Sequence, residues 1–183
     1  MNSLPDPRLS RRGFLGVAAA TGAALLLPPG RLRADQAFAL PDATRAALEK
    51  SPLIYLSPLR SDGAESKCHG EVWYVRDGAE LLVVTAADRW KALAVRRGLD
   101  RARIWVGDFG QWKKSNGRFK TGPSFLAKAR FDTEDSVIEA ALAAFGAKYP
   151  DEWDKWEPRF RKGLADGSRV LIRYRPSGAK FSE

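Results

Sequence analysis

Between residues 53 and 85 the chain switches repeatedly between short β-prone apolar runs and turn chemistry, and this alternation constrains the fold more than any other feature. Residues 53–59 read LIYLSPL and lead into Ser61-Asp62-Gly63; residues 71–75 read EVWYV and lead into Arg76-Asp77-Gly78; residues 80–85 read ELLVVT. Strands this short, joined by Asp-Gly turns, pair antiparallel, because a parallel pair needs a crossover of a dozen residues or more. The remaining chain keeps to the scheme. Asp88 is placed to cap a short helix that runs to Arg97 and stops at Gly98. Residues 103–109 and 125–131 read as strands, with a loop at 113–117 and a strand around Phe119 between them. Thr133 is placed to cap a helix in which Val137, Ile138, Ala141, Leu142 and Phe145 recur at helical spacing until Gly146. An aromatic segment at 149–160 and a strand at 169–174 follow. The sequence thus predicts an α+β fold, mainly β, of about six antiparallel strands, with a short helix after the third strand and helices towards the C-terminus.

The first 39 residues have a different character. Ser10, Arg11, Arg12, Phe14 and Leu15 match the twin-arginine export signal, and the apolar run 17–27 is shorter than the ~20 residues that cross a bilayer. Pro28-Pro29-Gly30 ends that run, and Ala37-Phe38-Ala39 has the small-x-small pattern that signal peptidases cut. Residues 1–39 are therefore expected to be a signal peptide and residues 40–183 a single domain, exported to the periplasm or beyond by bacterial twin-arginine machinery. That route carries proteins already folded and often serves those whose cofactor is inserted in the cytoplasm. Without residues 1–39, which hold five Arg and two acids, the net charge falls from +9 to +6. Cys68 is the only cysteine and His69 the only histidine, which leaves no internal disulfide, no zinc site of the Cys/His type and no metal site to nominate. Neighbouring residues of an extended segment point to opposite faces, so Cys68 and His69 do not form a nucleophile and its base.

The order of elements, and above all the stretch LLVVTAADRWKALAVRRG, resembles the flavin-binding split barrel of the pyridoxamine 5′-phosphate oxidase-like proteins. SPLRSDGAESKCHGEVWYVRDGAELLVVT is similar to that family's opening strand, Asp-Gly turn, aromatic-rich second strand and second Asp-Gly turn. The resemblance covers residues 42–176. It implies a split β-barrel, an FMN cofactor whose phosphate is held by Lys91, six residues after the strand-ending Thr85, and a homodimer with the flavin at the subunit interface. Deazaflavin-dependent relatives use the same barrel, which makes F420 the alternative cofactor; in a heme-binding relative, His69 would have to be the ligand. Asp88 and Arg89 stand where a small hydroxyl residue is common, and Ala94 where an Asn is common. A vitamin B6 substrate is not implied, since residues 168–176 (SRVLIRYRP) do not match the substrate-binding end of the true oxidases.

The residues point to an anion site on their own. A helix start has free N–H groups and a partial positive charge, and Arg89 and Lys91 add full charges there, an arrangement that a phosphate would satisfy. The plain alternative is a solvated basic turn with Asp88 as an ordinary cap. Trp73 and Trp112, each on or just after a strand near a turn, are the candidates for contact with a cofactor ring. Trp153, Trp156 and Phe160 form a helical stripe, bent near Pro158, that either packs on the barrel or covers a ring. No acid or base can be nominated. The expected function is that of an exported flavin-dependent oxidoreductase acting on an unknown small molecule. Its competitors are a barrel that has lost its cofactor and a non-catalytic module for an anionic ligand, suggested by the net charge and by Arg96, Arg97, Arg101 and Arg103. Nucleic acid is not an expected partner of an exported protein.

Overall fold

The computed structural model describes residues 39–178, which fall within one compact unit. Apart from Ala39, the expected signal peptide lies outside the described residues. These form, in order, α1 (Asp42–Lys50), β1 (Ile54–Pro58), β2 (Gly70–Val72), β3 (Val75–Asp77), β4 (Glu80–Ala86), α2 (Trp90–Arg96), β5 (Arg101–Val106), β6 (Ser124–Asp132), α3 (Asp135–Lys148), α4 (Pro150–Ala165) and β7 (Arg169–Ser177). All seven strands join one antiparallel sheet in the order β2-β1-β5-β6-β7-β4-β3.

The edge strands of that sheet are β2 and β3, and only Trp73 and Tyr74 separate them in the chain. So short a link spans about 10 Å at most. The sheet must therefore curl until its edges meet, which makes the fold a split barrel of mixed α and β content. Tyr149, between α3 and α4, ties the link. Its hydroxyl accepts from the Tyr74 N–H at 3.0 Å, and its own proton has Tyr74 O at 2.8 Å and Pro52 O at 3.0 Å within reach. The Tyr74 ring is fully buried, and its hydroxyl reaches Leu48 O at 2.6 Å and Ser51 O at 3.0 Å, joining the link to the end of α1.

Strand alternation sorts the core into layers. Ile54, Leu56, Ile104 and Val106 join Leu81, Val83, Ile172 and Tyr174 in the inner core, whereas Tyr55 and Trp105 pack with Phe119 in a separate aromatic cluster. Val75, Leu82, Val84 and Leu171 belong to a third cluster, covered by Leu142 and Phe145 of α3 and Phe160 of α4. A buried arginine in the middle of β7, Arg173, holds Asp132 at 2.7 Å, Asp77 at 2.6 Å and Glu80 at 2.9 Å, fastening the β3–β4 hairpin to β7 and to the end of β6.

Several local expectations are corrected. The run 71–75 divides at Trp73 into two strands because the chain there crosses from one sheet edge to the other. The strand around Phe119 is a 3-10 turn (Arg118–Thr121); Asn116 and Gly117 just before it have φ of 49° and 79°, which no strand adopts. Arg89, not Asp88, occupies the N-cap of α2, and Glu134, not Thr133, that of α3; neither makes a side-chain cap bond. Gly146 lies inside α3, where a Cβ would stand 2.8 Å from Trp153 Nε1, so glycine here lets α4 approach α3 closely. Pro158 lies within α4, which runs on to Ala165, and Trp153 and Phe160 both contact the Phe145 ring as core.

Replacing Tyr149 by Phe should cost about 1–3 kcal/mol in urea unfolding, because the buried Tyr74 N–H loses its acceptor. Burial also raises the pKa of Tyr149 and pushes that of Tyr74 up to about 12. An unfolded tyrosine ionises near pH 10, so between about pH 10 and 12 the unfolded state loses protons that the folded state keeps. Stability should fall as pH rises through that window, and the fall should be shallower in Tyr149→Phe.

Candidate functional site

Closing the sheet sets the start of β2, the end of β4, the turn into α2 and the start of β7 around a cleft of about 660 Å³. Thr85, Arg89, Lys91 and Trp112 line it, and a smaller pocket of about 310 Å³, which includes Trp73, continues it. The two hollows share Glu71, Val72, Val84, Trp156 and Arg169. The five residues nominated from sequence thus come together in two adjoining hollows, although they come from separate elements.

Lys91, the second residue of α2, is a poorly compensated charge in the cleft. Burial and the nearby Arg89 pull its pKa below the usual lysine value, and Glu71 and Cys68 oppose them. Among the described residues it has no hydrogen bond or ion pair. Gly70 gives it room, since a Cβ there would stand 3.2 Å from Lys91 Nζ. A half-buried ammonium beside a guanidinium is destabilised by both desolvation and repulsion, and an anion in the cleft relieves both. Arg89 is exposed and meets Asp88 only at 3.9 Å, a contact worth little between solvated groups. Because Asp88 does not cap, it does not compete for the first N–H groups of α2. That helix has seven residues, so the side-chain charges rather than its dipole dominate the site.

The other nominated residues contribute less open surface. Thr85 lies on the same face of β4 as the inner-core residues Leu81 and Val83 and is only 6% exposed. One face of the Trp73 indole is taken by Tyr149, stacked at 4.3 Å and 4°. Trp112 is half-buried and is held by its backbone, whose N–H donates to Glu71 Oε2 at 3.1 Å.

Glu71, His69 and Arg169 are cleft residues that the sequence did not single out for cofactor contact, except for His69 as a conditional heme ligand. The His69 ring packs at 5.3–6.1 Å from Phe119, Trp112 and Trp105. Burial and Lys120 lower its pKa, which keeps the imidazole neutral at pH 7, and its buried Nδ1 has no partner among the described residues. Arg169 joins the cleft through pairing of β7 with β4, where it stands opposite Ala86. Its only local sequence signal is its place at the start of the closing strand.

No family model and no curated protein sequence matches this chain. Solved structures do. The heme storage protein HutZ of Vibrio cholerae is 14% identical over 79% of this chain and 94% of its own, with a TM-score of 0.52. The conserved hypothetical protein Rv2991 of Mycobacterium tuberculosis is 17% identical over 80% of this chain and 96% of its own, also with a TM-score of 0.52. A Listeria innocua structure described as a candidate pyridoxamine 5′-phosphate oxidase is 17% identical over 75% of this chain and 93% of its own, with a TM-score of 0.49. At these identities the likeness is one of fold.

If Glu71 holds the Trp112 loop, Glu71→Leu should speed hydrogen exchange of the Trp112 amide about tenfold, whereas Glu71→Gln, which keeps an acceptor oxygen, should leave most of the protection. Amide exchange read by NMR or mass spectrometry checks this.

Proposed function

We propose that the protein binds FMN in this cleft and serves as a flavin-dependent oxidoreductase for a small molecule, exported by the twin-arginine route once its signal peptide, residues 1–39, has been read. The observation that carries the reading is the half-buried Lys91 beside Arg89, without an ion pair among the described residues, lining a cleft that also holds Trp90, Trp112 and Trp156. In this reading Lys91 and Arg89 hold the phosphate, and Trp112 and Trp73 frame the ring. Hydride or electron transfer is the chemistry that the flavin supplies when bound; the chain binds it, orients it and shields it from water. A second copy of the chain would complete the cofactor's surroundings. F420 is the alternative cofactor.

Two other readings have less support. A histidine that ligates iron usually donates its other ring N–H to an acceptor, and the buried Nδ1 of His69 has none among the described residues. A module that binds anionic polymers would need its arginines free. Of the four arginines behind that reading, three are engaged: Arg96 bonds Ala87 O at 2.9 Å, Arg97 lies over Trp90, and Arg103 pairs with Glu65 at 3.0 Å, which leaves Arg101.

The test is a fluorescence titration of FMN, and separately F420, into wild type and Lys91→Ala, with circular dichroism confirming that both are folded. Loss of a charge-assisted contact worth about 1.5–3 kcal/mol should weaken FMN binding ten- to hundredfold, while riboflavin, which lacks the phosphate, binds both proteins alike. Equal FMN affinity in the two proteins would remove Lys91 from the site.

A further inference from the structure

We infer that the pocket continuing the cleft is a subsite for a small aromatic carboxylate, with Arg169 as the group that receives the carboxylate. The pocket is lined mostly by apolar residues, Leu53, Val72, Trp73, Val84, Trp156 and Phe160, with Glu71 and Arg169 as its charged members. Its volume, about 310 Å³, is at the small end of the ~300–1,000 Å³ range of ligand pockets, which suits one ring or two fused rings.

Arg169 supplies one positive charge to this apolar wall. Its guanidinium carbon lies 5.3 Å from the centre of the Phe160 ring and 5.9 Å from that of Trp156. Its stem is packed against Gly163, where a Cβ would stand 2.6 Å from both Cγ and Cδ. The missing side chain at Gly163 leaves the space the arm occupies, and two aromatic rings lie beside its guanidinium. Among the described residues no carboxylate pairs with it. Glu71, the carboxylate on the same wall, accepts the Trp112 N–H.

A planar guanidinium matches a carboxylate through two parallel N–H···O bonds, and an apolar wall strengthens them by excluding water. Arg169 is the one cation of the pocket lining and Glu71 its one carboxylate, and the two form no ion pair; a singly charged group suits a single cation better than a dianionic phosphate, which would be left half-compensated. The charges divide accordingly: Arg89 and Lys91 flank the larger cleft only, and Arg169 stands where the two hollows meet. As the substrate end of a cofactor cleft this subsite rests on the function proposed above; as a carboxylate site it stands alone.

The experiment titrates benzoate, benzamide and acetate into the full chain by tryptophan fluorescence, for wild type, Arg169→Gln, Arg169→Lys and Gly163→Ala, with FMN titrated into each in parallel. Wild type should bind benzoate at least about tenfold more tightly than benzamide or acetate. Arg169→Gln should bring benzoate down to the benzamide level, a loss of about ten- to hundredfold, and Arg169→Lys should restore part of it. Gly163→Ala, which displaces the arm without touching its charge, should weaken benzoate but not benzamide. FMN affinity should stay within about threefold throughout. Equal binding of benzoate and benzamide to wild type, or no binding of benzoate, overturns the inference, and this comparison needs no variant to fold. Loss of FMN in step with benzoate in Arg169→Gln also overturns it, by assigning Arg169 to the cofactor. Benzoate binding that depends on Arg169 in a protein that takes up no FMN overturns the cofactor proposal and leaves the carboxylate site intact.

Discussion

The two-residue link of Trp73 and Tyr74 carries the chain from one edge of the seven-stranded sheet to the other, where backbone groups lose their ladder partners. A buried N–H or C=O without a partner costs about 1–3 kcal/mol, enough to favour an open sheet. The Tyr149 hydroxyl meets this cost by accepting from the Tyr74 N–H and placing its proton between Tyr74 O and Pro52 O. One phenol on the α3–α4 junction thus stands in for a missing strand, and the helices that cover the outer face also close the barrel.

The cleft follows from that closure. With the edges joined, β2 and its Glu71 come beside the β4–α2 turn, and the β4–β7 pairing adds Arg169 opposite Ala86. Arg89, Lys91 and Arg169 then gather around a hollow in which Glu71 is the carboxylate, and Glu71 is engaged with the Trp112 amide. Burying Lys91 and setting it beside Arg89 both oppose folding, as its lowered pKa records. Elsewhere the chain pairs its buried charge: Arg173 has three carboxylates within hydrogen-bond distance. Arg173 is satisfied, whereas Lys91 on α2 has no ion pair among the described residues, and the proposed ligand site rests on that contrast.

Much of the strand pattern was legible because period-two apolar runs and Asp-Gly turns are local signals, and Gly98 stops α2 with φ of 77° as a helix-ending glycine does. Thr85, Arg89 and Lys91 were legible as neighbours because they share one turn. Long-range geometry was not. Nothing local separates EVWYV into two strands; the split at Trp73 comes from sheet order. The strand expected at Phe119 failed because an aromatic between basic residues looks β-prone, while the positive φ at Asn116 and Gly117 turns the chain first. α1, DATRAALEK, has few apolar residues, and Thr44 and Leu48 are the ones it buries. Arg169 could be placed only through β4–β7 pairing, and the pocket between Trp73 and Trp156 only through the packing of α4.

The proposal at issue is that the cation-lined cleft holds the phosphate of a flavin. The most direct measurement is the visible absorption spectrum of the protein purified from its native source, with the mass of the small molecule released on denaturation. The expected result is a flavin spectrum and the mass of FMN, in an amount near one per chain. A heme spectrum, or a colourless protein that takes up neither FMN nor F420 when either is supplied, would contradict it.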